Sequence, residues 1–126
     1  MTIKTILIVD DEKLMRALLR HYCKQNGFEV VEAENGEEAL HRLGEKRPDL
    51  VMMDAMMPVM NGLVLAHRIR QHFDEDQLPI LFLTSEADAQ TQKEALAAGA
   101  QAYLTKPVSL GDLLNSIKQL TMGRSH

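Results

Sequence analysis

The sequence predicts an α/β fold in which five short strands form a parallel sheet covered by helices on both faces. Short apolar runs alternate with amphipathic stretches along the chain, each pair taking up about 20 to 25 residues, which is the rhythm of repeated strand–helix units. Three of the runs, ILIV at 6–9, LVMM at 50–53 and ILFL at 80–83, are apolar at every position, as strands buried on both faces must be. The chain of 126 residues is long enough for one domain around a single core.

The strands are expected at Ile6 to Val9, Phe28 to Ala33, Leu50 to Met53, Ile80 to Leu83 and Ala102 to Leu104. Between the first two, Leu14, Met15, Leu18, Leu19, Tyr22 and Cys23 recur at helical spacing. Asn35-Gly36 opens a second helix carrying Ala39, Leu40 and Leu43, and Gly62 opens a third with Leu65, Ala66 and Ile69. A fourth, roughly Glu86 to Ala98, is alanine-rich and weakly apolar, so it should form from propensity yet pack lightly. Leu110, Leu113, Leu114, Ile117 and Leu120 mark the fifth. No repeat, linker or low-complexity tract breaks the pattern, and a single domain over 1–126 without an output domain is the expectation.

Composition narrows the function. A net charge of −4, from 14 basic and 18 acidic residues, offers no general attraction to nucleic acid or an anionic membrane. The apolar runs are far short of the roughly 20 residues that cross a bilayer, and an acidic cluster follows the first of them, unlike a secretion signal. The lone Cys23 permits no intrachain disulfide, so a reducing cytoplasmic setting is expected.

In an open parallel sheet the reactive crevice lies at the carboxyl ends of the strands. The residues there are Asp10 and Asp11 after the first strand, Asp54 after the third, Thr84 and Ser85 after the fourth, and Lys106 beyond the fifth. Gathered carboxylates repel by about 4 kcal/mol per pair at 4 Å and an effective dielectric of 20, so such a cluster calls for a proton or a cation. Oxygen ligands suit Mg²⁺, with Mn²⁺ as an alternative, over zinc. His21, His41, His67, His72 and His126 show no paired spacing with soft ligands. Each residue also has a plainer reading: Asp10 and Asp11 as caps of the first helix, Asp54 and Lys106 as surface charges, Thr84 as a strand end. Their joint placement at successive strand ends is what favours a site.

The segments ILIVDDE, AENGEEAL, RPDLVMMDAMMPVMNG, LPILFLTSEAD and AGAQAYLTKP, followed by a final amphipathic helix, cover nearly the whole chain. In that order they resemble a response-regulator receiver domain of two-component signalling, closest in layout to the free-standing chemotaxis type. The resemblance implies a flavodoxin-like (βα)5 doubly wound sheet with strand order 2-1-3-4-5, an order given for a chemotaxis receiver and not readable from spacing.

The resemblance also implies roles. Asp54 would accept the phosphoryl group. Asp11 and Asp54 would bind Mg²⁺ directly, Asp10 mainly through water, and the backbone carbonyl of Met56 would complete the set. Thr84 and Lys106 would hold phosphoryl oxygens, with Lys106-Pro107 as a cis peptide aiming the lysine. Thr84 and Tyr103 would form the switch. The donor would be a histidine kinase or histidine phosphotransfer protein; the stripes Leu14, Leu18, Tyr22 and Met15, Leu19, Cys23 of the first helix span a wide apolar arc, one edge of which either docks that donor or is buried in the core. A downstream target would bind the face of helix four, strand five and helix five. The protein would be a monomer, or a dimer on phosphorylation, and a signalling switch rather than a turnover enzyme. Met56 and Glu86 would tune the lifetime of the aspartyl phosphate.

Two rivals fit poorly. A phosphohydrolase of the haloacid dehalogenase kind wants D-x-D-x-T after its first strand, where this chain has Asp10-Asp11-Glu12. A flavodoxin-like electron carrier wants a phosphate-cradling loop there, and the carboxylates would repel its cofactor. The chain stops soon after the fifth helix, at Gly123-Arg124-Ser125-His126, which favours a free-standing regulator.

Overall fold

The structure, a computed structural model, describes residues 3–54, 61–84, 89–106 and 109–123. Five strands, β1 (Thr5–Val9), β2 (Glu29–Ala33), β3 (Leu50–Met53), β4 (Ile80–Thr84) and β5 (Ala102–Thr105), alternate with five helices. The helices are α1 (Lys13–Gln25), α2 (Gly36–Glu45), α3 (Gly62–Arg70), α4 (Ala89–Ala97) and α5 (Leu110–Gly123). All the pairings are parallel and the order is β2-β1-β3-β4-β5, the order that the resemblance implied.

The unbroken apolar runs are explained by what lies on each side of the sheet. Leu7, Val9, Val51, Met53, Ile80 and Phe82 belong to one core cluster, with Ala39 of α2, Leu65 and Ile69 of α3, and Ala95 of α4. Ile6, Ile8, Leu50, Met52, Leu81 and Leu83 alternate with them and belong to a second cluster, with Leu19 and Cys23 of α1 and Leu113 and Ile117 of α5. Alternate side chains of a strand point to opposite faces, so two helical layers require an apolar residue at every position. Every residue of β1, β3 and β4 is buried. Full burial of one such Leu or Ile stabilises by roughly 1.5–3 kcal/mol.

Side chains and glycines set the helix ends that aim the loops. Asn35 accepts the Glu38 backbone N–H at 2.8 Å at the start of α2, and Asn61 accepts that of Val64 at 3.0 Å at the start of α3; each satisfies a donor that the first turn leaves unpaired. Helix α4 is as lightly held as its composition implies: Ala95 is buried while Leu96 is 50% exposed. It ends at Gly99, whose φ of +101° lets Gly99 N–H reach the Leu96 carbonyl and Ala100 N–H reach that of Ala95, closing a Schellman turn. Arg70 locks this turn to the end of α3. Its guanidinium donates to the carbonyls of Gly99, Phe73, Asp74 and Leu78 and to Gln101 Oε1.

Candidate functional site

The strands all run one way, so their carboxyl ends form one edge. The chain leaves β1 through α1 to β2 on one side, then crosses by α2 to β3 on the other side of β1. The gap beyond β1 and β3 is therefore the crevice of a doubly wound sheet. Backbone bonds continue the sheet pattern past the strand ends: Asp10 N–H to Ala33 O at 3.1 Å, Asp54 N–H to Val9 O at 3.2 Å, and Lys106 N–H to Thr84 O at 2.7 Å. The backbones of Asp10, Asp54 and Lys106 are thereby fixed before their side chains interact.

Those side chains meet. Lys106 Nζ donates to Asp10 Oδ2 at 2.9 Å and to Asp54 Oδ2 at 3.0 Å. It also lies 3.6 Å from Glu12 Oε1. The lysine, Asp10 and Asp54 side chains are only 8%, 3% and 7% exposed, whereas Glu12 is largely in solvent. Asp10 uses its other oxygen to accept the Glu12 backbone N–H at 2.9 Å. That bond orders the entry to α1, where Glu12 is the N-cap residue but makes no side-chain cap bond. Asp10 thus shapes the turn before the helix without capping its first-turn N–H groups, and the same carboxylate faces Lys106.

Burial pushes the Asp10 carboxyl above its ordinary range and the Asp54 charge adds to this, against the Glu12 N–H and Lys106, which pull it down. Burial alone would lower the Lys106 ammonium, but its bonds to Asp10 and Asp54 and their charges carry the net direction upward. The lysine therefore stays charged while the cluster remains short of positive charge: fully ionised, three carboxylates face one ammonium.

Asp10, Glu12 and Asp54 each offer an oxygen within 4.8 Å of the others, and these residues can hold a metal ion. The donor set is all oxygen, anionic and open on the Glu12 side, which fits a hard divalent cation that keeps some of its water. Asp11, which the sequence reading made a direct ligand, is exposed and is not one of the three carboxylates brought together among the described residues. Glu12 is the third carboxylate of that cluster. Sequence reasoning passed over it because only the turn at the head of α1 decides which of three successive acids faces the crevice.

Thr84 ends β4 and is fully buried. Tyr103, beside Phe82 in the ladder, is half-buried against the cluster that includes Ala95 and Ala98, on the α4 side of the sheet. Met56 and Pro107, with Ser85 and Glu86, lie outside the described residues. One further residue was not foreseen. Arg16 donates from Nη1 to the Asp10 carbonyl at 2.7 Å and from Nε to Glu32 at 3.2 Å, and Arg20 also holds Glu32, at 2.8 Å. The position of Arg16 one turn after Glu12 was its only mark in the sequence.

Residues 6–118 match the sequence profile of the response regulator receiver domain. The phosphate regulon transcriptional regulatory protein PhoB of Rhizobium meliloti is 37% identical over 115 residues, 91% of this chain and 51% of that protein. The response regulator MprA of Mycolicibacterium vanbaalenii is 40% identical over 91% of this chain and 49% of its own length. The chain thus spans about half the length of the curated relatives it matches. Among solved structures, chemotaxis protein CheY4 of Vibrio cholerae superposes with a TM-score of 0.88 at 32% identity, over 94% of this chain and 99% of that one. A CheY-like receiver domain protein of Methanospirillum hungatei gives 0.91 at 28% identity, over 98% of each chain.

Proposed function

Because the chain belongs to the response regulator receiver domain family, we propose that it is a two-component switch in which Asp54 accepts a phosphoryl group from a phosphohistidine. The observation that carries this reading is the Lys106 ammonium held between Asp10 and Asp54, at 2.9 and 3.0 Å, at the crevice of the sheet. A carboxylate oxygen of Asp54 attacks the phosphorus. The new O–P bond forms as the N–P bond of the phosphoimidazole breaks, and the departing imidazole nitrogen takes up a proton. Asp54 is anionic and so is the arriving group, so catalysis consists of positioning and charge compensation. Lys106 neutralises one phosphoryl oxygen, and the Thr84 hydroxyl donates to another.

Mg²⁺ fits the same carboxylates. Asp54, the Asp10-Asp11 pair and the Met56 carbonyl are its proposed ligands, with Glu12 as a further anion at the rim. Bound there, it supplies the positive charge that lets a dianionic phosphoryl group approach an anionic nucleophile.

The switch itself is Thr84 with Tyr103: drawing the threonine toward the phosphoryl group frees space for the tyrosine to turn inward against α4. A difference between two conformations is what turns phosphorylation into altered affinity. The target is proposed to bind on α4, β5 and α5, where Leu96 is half exposed. The phosphodonor is proposed to dock along α1, where Leu14 and Leu18 are 87% and 50% exposed.

The test of the chemistry is incubation of the wild type and Asp54→Ala with acetyl phosphate and Mg²⁺. The wild type gains one acid-stable, base-labile phosphoryl group by mass and the variant gains none. A variant phosphorylated to the wild-type extent overturns the assignment. For the surfaces, target affinity unchanged by phosphorylation, or transfer from the cognate kinase unaffected by Leu14→Ser with Leu18→Ser, removes the corresponding proposal.

A further inference from the structure

A groove among the described residues lies away from the carboxylates. It is formed by Leu40, Leu43 and Gly44 of α2, Arg68 and Ile69 of α3, and the following Gln71, His72 and Phe73, and encloses about 430 Å³. Helices that connect parallel strands run opposite to them, so the C-terminal halves of α2 and α3 sit at the edge of the sheet farthest from Asp54. The volume falls within the range of small-ligand sites, roughly 300–1,000 Å³, and its floor is apolar: Ile69 is buried, and Leu40, Leu43 and Phe73 are partly buried against the core.

Two features distinguish this groove from an ordinary packing gap. The first is its charge. Arg68 and His72 stand exposed at the rim of a protein with a net charge of −4, and among the described residues no carboxylate pairs with either. Of the acids close to these residues in sequence, Asp74 Oδ1 accepts the Gln77 N–H at 2.8 Å, Asp74 and Glu75 act on the charge of Arg70, and on α2 Glu45 lies 3.4 Å from Arg42 and 3.8 Å from His41. The second is Gly44. Glycine weakens a helix, yet Gly44 does not have the positive φ of Gly27 or Gly99, and a Cβ there would meet nothing within 4 Å. Neither backbone conformation nor close approach requires glycine, and its missing side chain leaves the wall open.

We propose that this groove binds a small amphipathic carboxylate, its aryl or alkyl body against Leu40, Leu43, Ile69 and Phe73 and its anionic head on Arg68 beside His72. The basic rim selects the sign of the head group and the floor selects an apolar body. The inference is independent of the phosphorylation chemistry, because the groove shares no residue with it.

The experiment is an amide chemical-shift titration of the unphosphorylated, isotope-labelled chain with 4-phenylbutyrate, and separately with 4-phenylbutylamine, which has a similar body and the opposite charge. The expected result is saturable shifts for the carboxylate confined to residues 40–44 and 68–73, and none for the amine. Arg68→Gln weakens binding about tenfold, the scale of one charge-assisted hydrogen bond. Gly44→Leu, a strong helix former placed in open space, removes saturation while the rest of the spectrum is unchanged. Equal shifts from the amine, shifts spread over the chain without saturation, or an affinity unaffected by Gly44→Leu overturn the proposal. Concentration-dependent shifts at these amides with no added probe assign the groove to a second copy of the chain. Displacement of the probe by a tighter acidic, aromatic peptide assigns it to a protein segment. Either outcome also overturns it.

Discussion

Replacing Lys106 by methionine removes the ammonium while keeping most of its apolar stem. The carboxylates of Asp10, Glu12 and Asp54 then face one another with oxygens within 4.8 Å. Two full charges at that separation repel by about 3.5 kcal/mol at an effective dielectric of 20. Breaking a buried ion pair from one side costs about 3–5 kcal/mol, because the repulsion among the acids is then no longer offset by the ammonium. At pH 7.5 without divalent cations, Lys106→Met should be about 3 kcal/mol less stable in urea, with a midpoint lowered by about 10 °C.

The pH dependence has a defined sign. Burial already raises the Asp10 carboxyl, and losing the lysine raises it further. A carboxyl whose folded pKa exceeds its unfolded value carries its full penalty above the folded pKa, and the penalty fades as pH falls from there to the unfolded value. The deficit of the variant should therefore shrink as pH falls from neutral toward the ordinary carboxylate range. It should also close at strongly alkaline pH, because the raised Lys106 value contributes stability below the ordinary lysine pKa and loses it as pH rises through the folded value. A variant as stable as the wild type at pH 7.5, or a deficit that stays constant as pH falls from neutral to below the ordinary carboxylate range, refutes the account of the site as an under-compensated anionic cluster.

Gly99→Ala should cost about 2 kcal/mol or more, since L-residues are strained at positive φ and the new Cβ would stand 2.6 Å from Arg70 Nε. Gly27→Ala, at a φ of +89° with open space around it, should cost only the backbone term of about 1 kcal/mol; paired urea titrations separate the two, and equal losses would deny the Arg70 contact any weight. Cys23 is 1% exposed and its thiol is pushed up to about 11 by burial, so it should resist iodoacetamide at pH 8 when folded and react readily in denaturant. Comparable alkylation rates in the two states would show that α1 opens far more often than its packing allows.

The central strands could be placed from the sequence because two-sided burial leaves an unbroken apolar run, and β3 begins and ends where that run does. The edge strand β2 was harder: Phe28 looked like its first residue, but its N–H is spent on the Cys23 carbonyl in the turn that ends α1, and pairing starts at Glu29. Asp10, Asp54, Thr84 and Lys106 could be found because a parallel sheet collects the residues that follow its strands. Glu12 could not, since its approach depends on a single bond from its N–H to Asp10. Arg70 left no trace in any local pattern, because its acceptors come from chain segments up to 31 positions away that meet only in the folded protein. The groove between α2 and α3 was hidden for the same reason.

Lys106 reaches its acidic partners across 96 positions from Asp10 and 52 from Asp54. During synthesis the two aspartates leave the ribosome long before the cation that neutralises them, and β1 and β3 can pair while β5 is still absent. In that interval the crevice contains its anions and no lysine, so the charge of the crevice reports whether the last strand has docked. The charge balance of the crevice is reached only when the sheet is complete, and a chain truncated before β5 would keep the acidic pair without its ammonium.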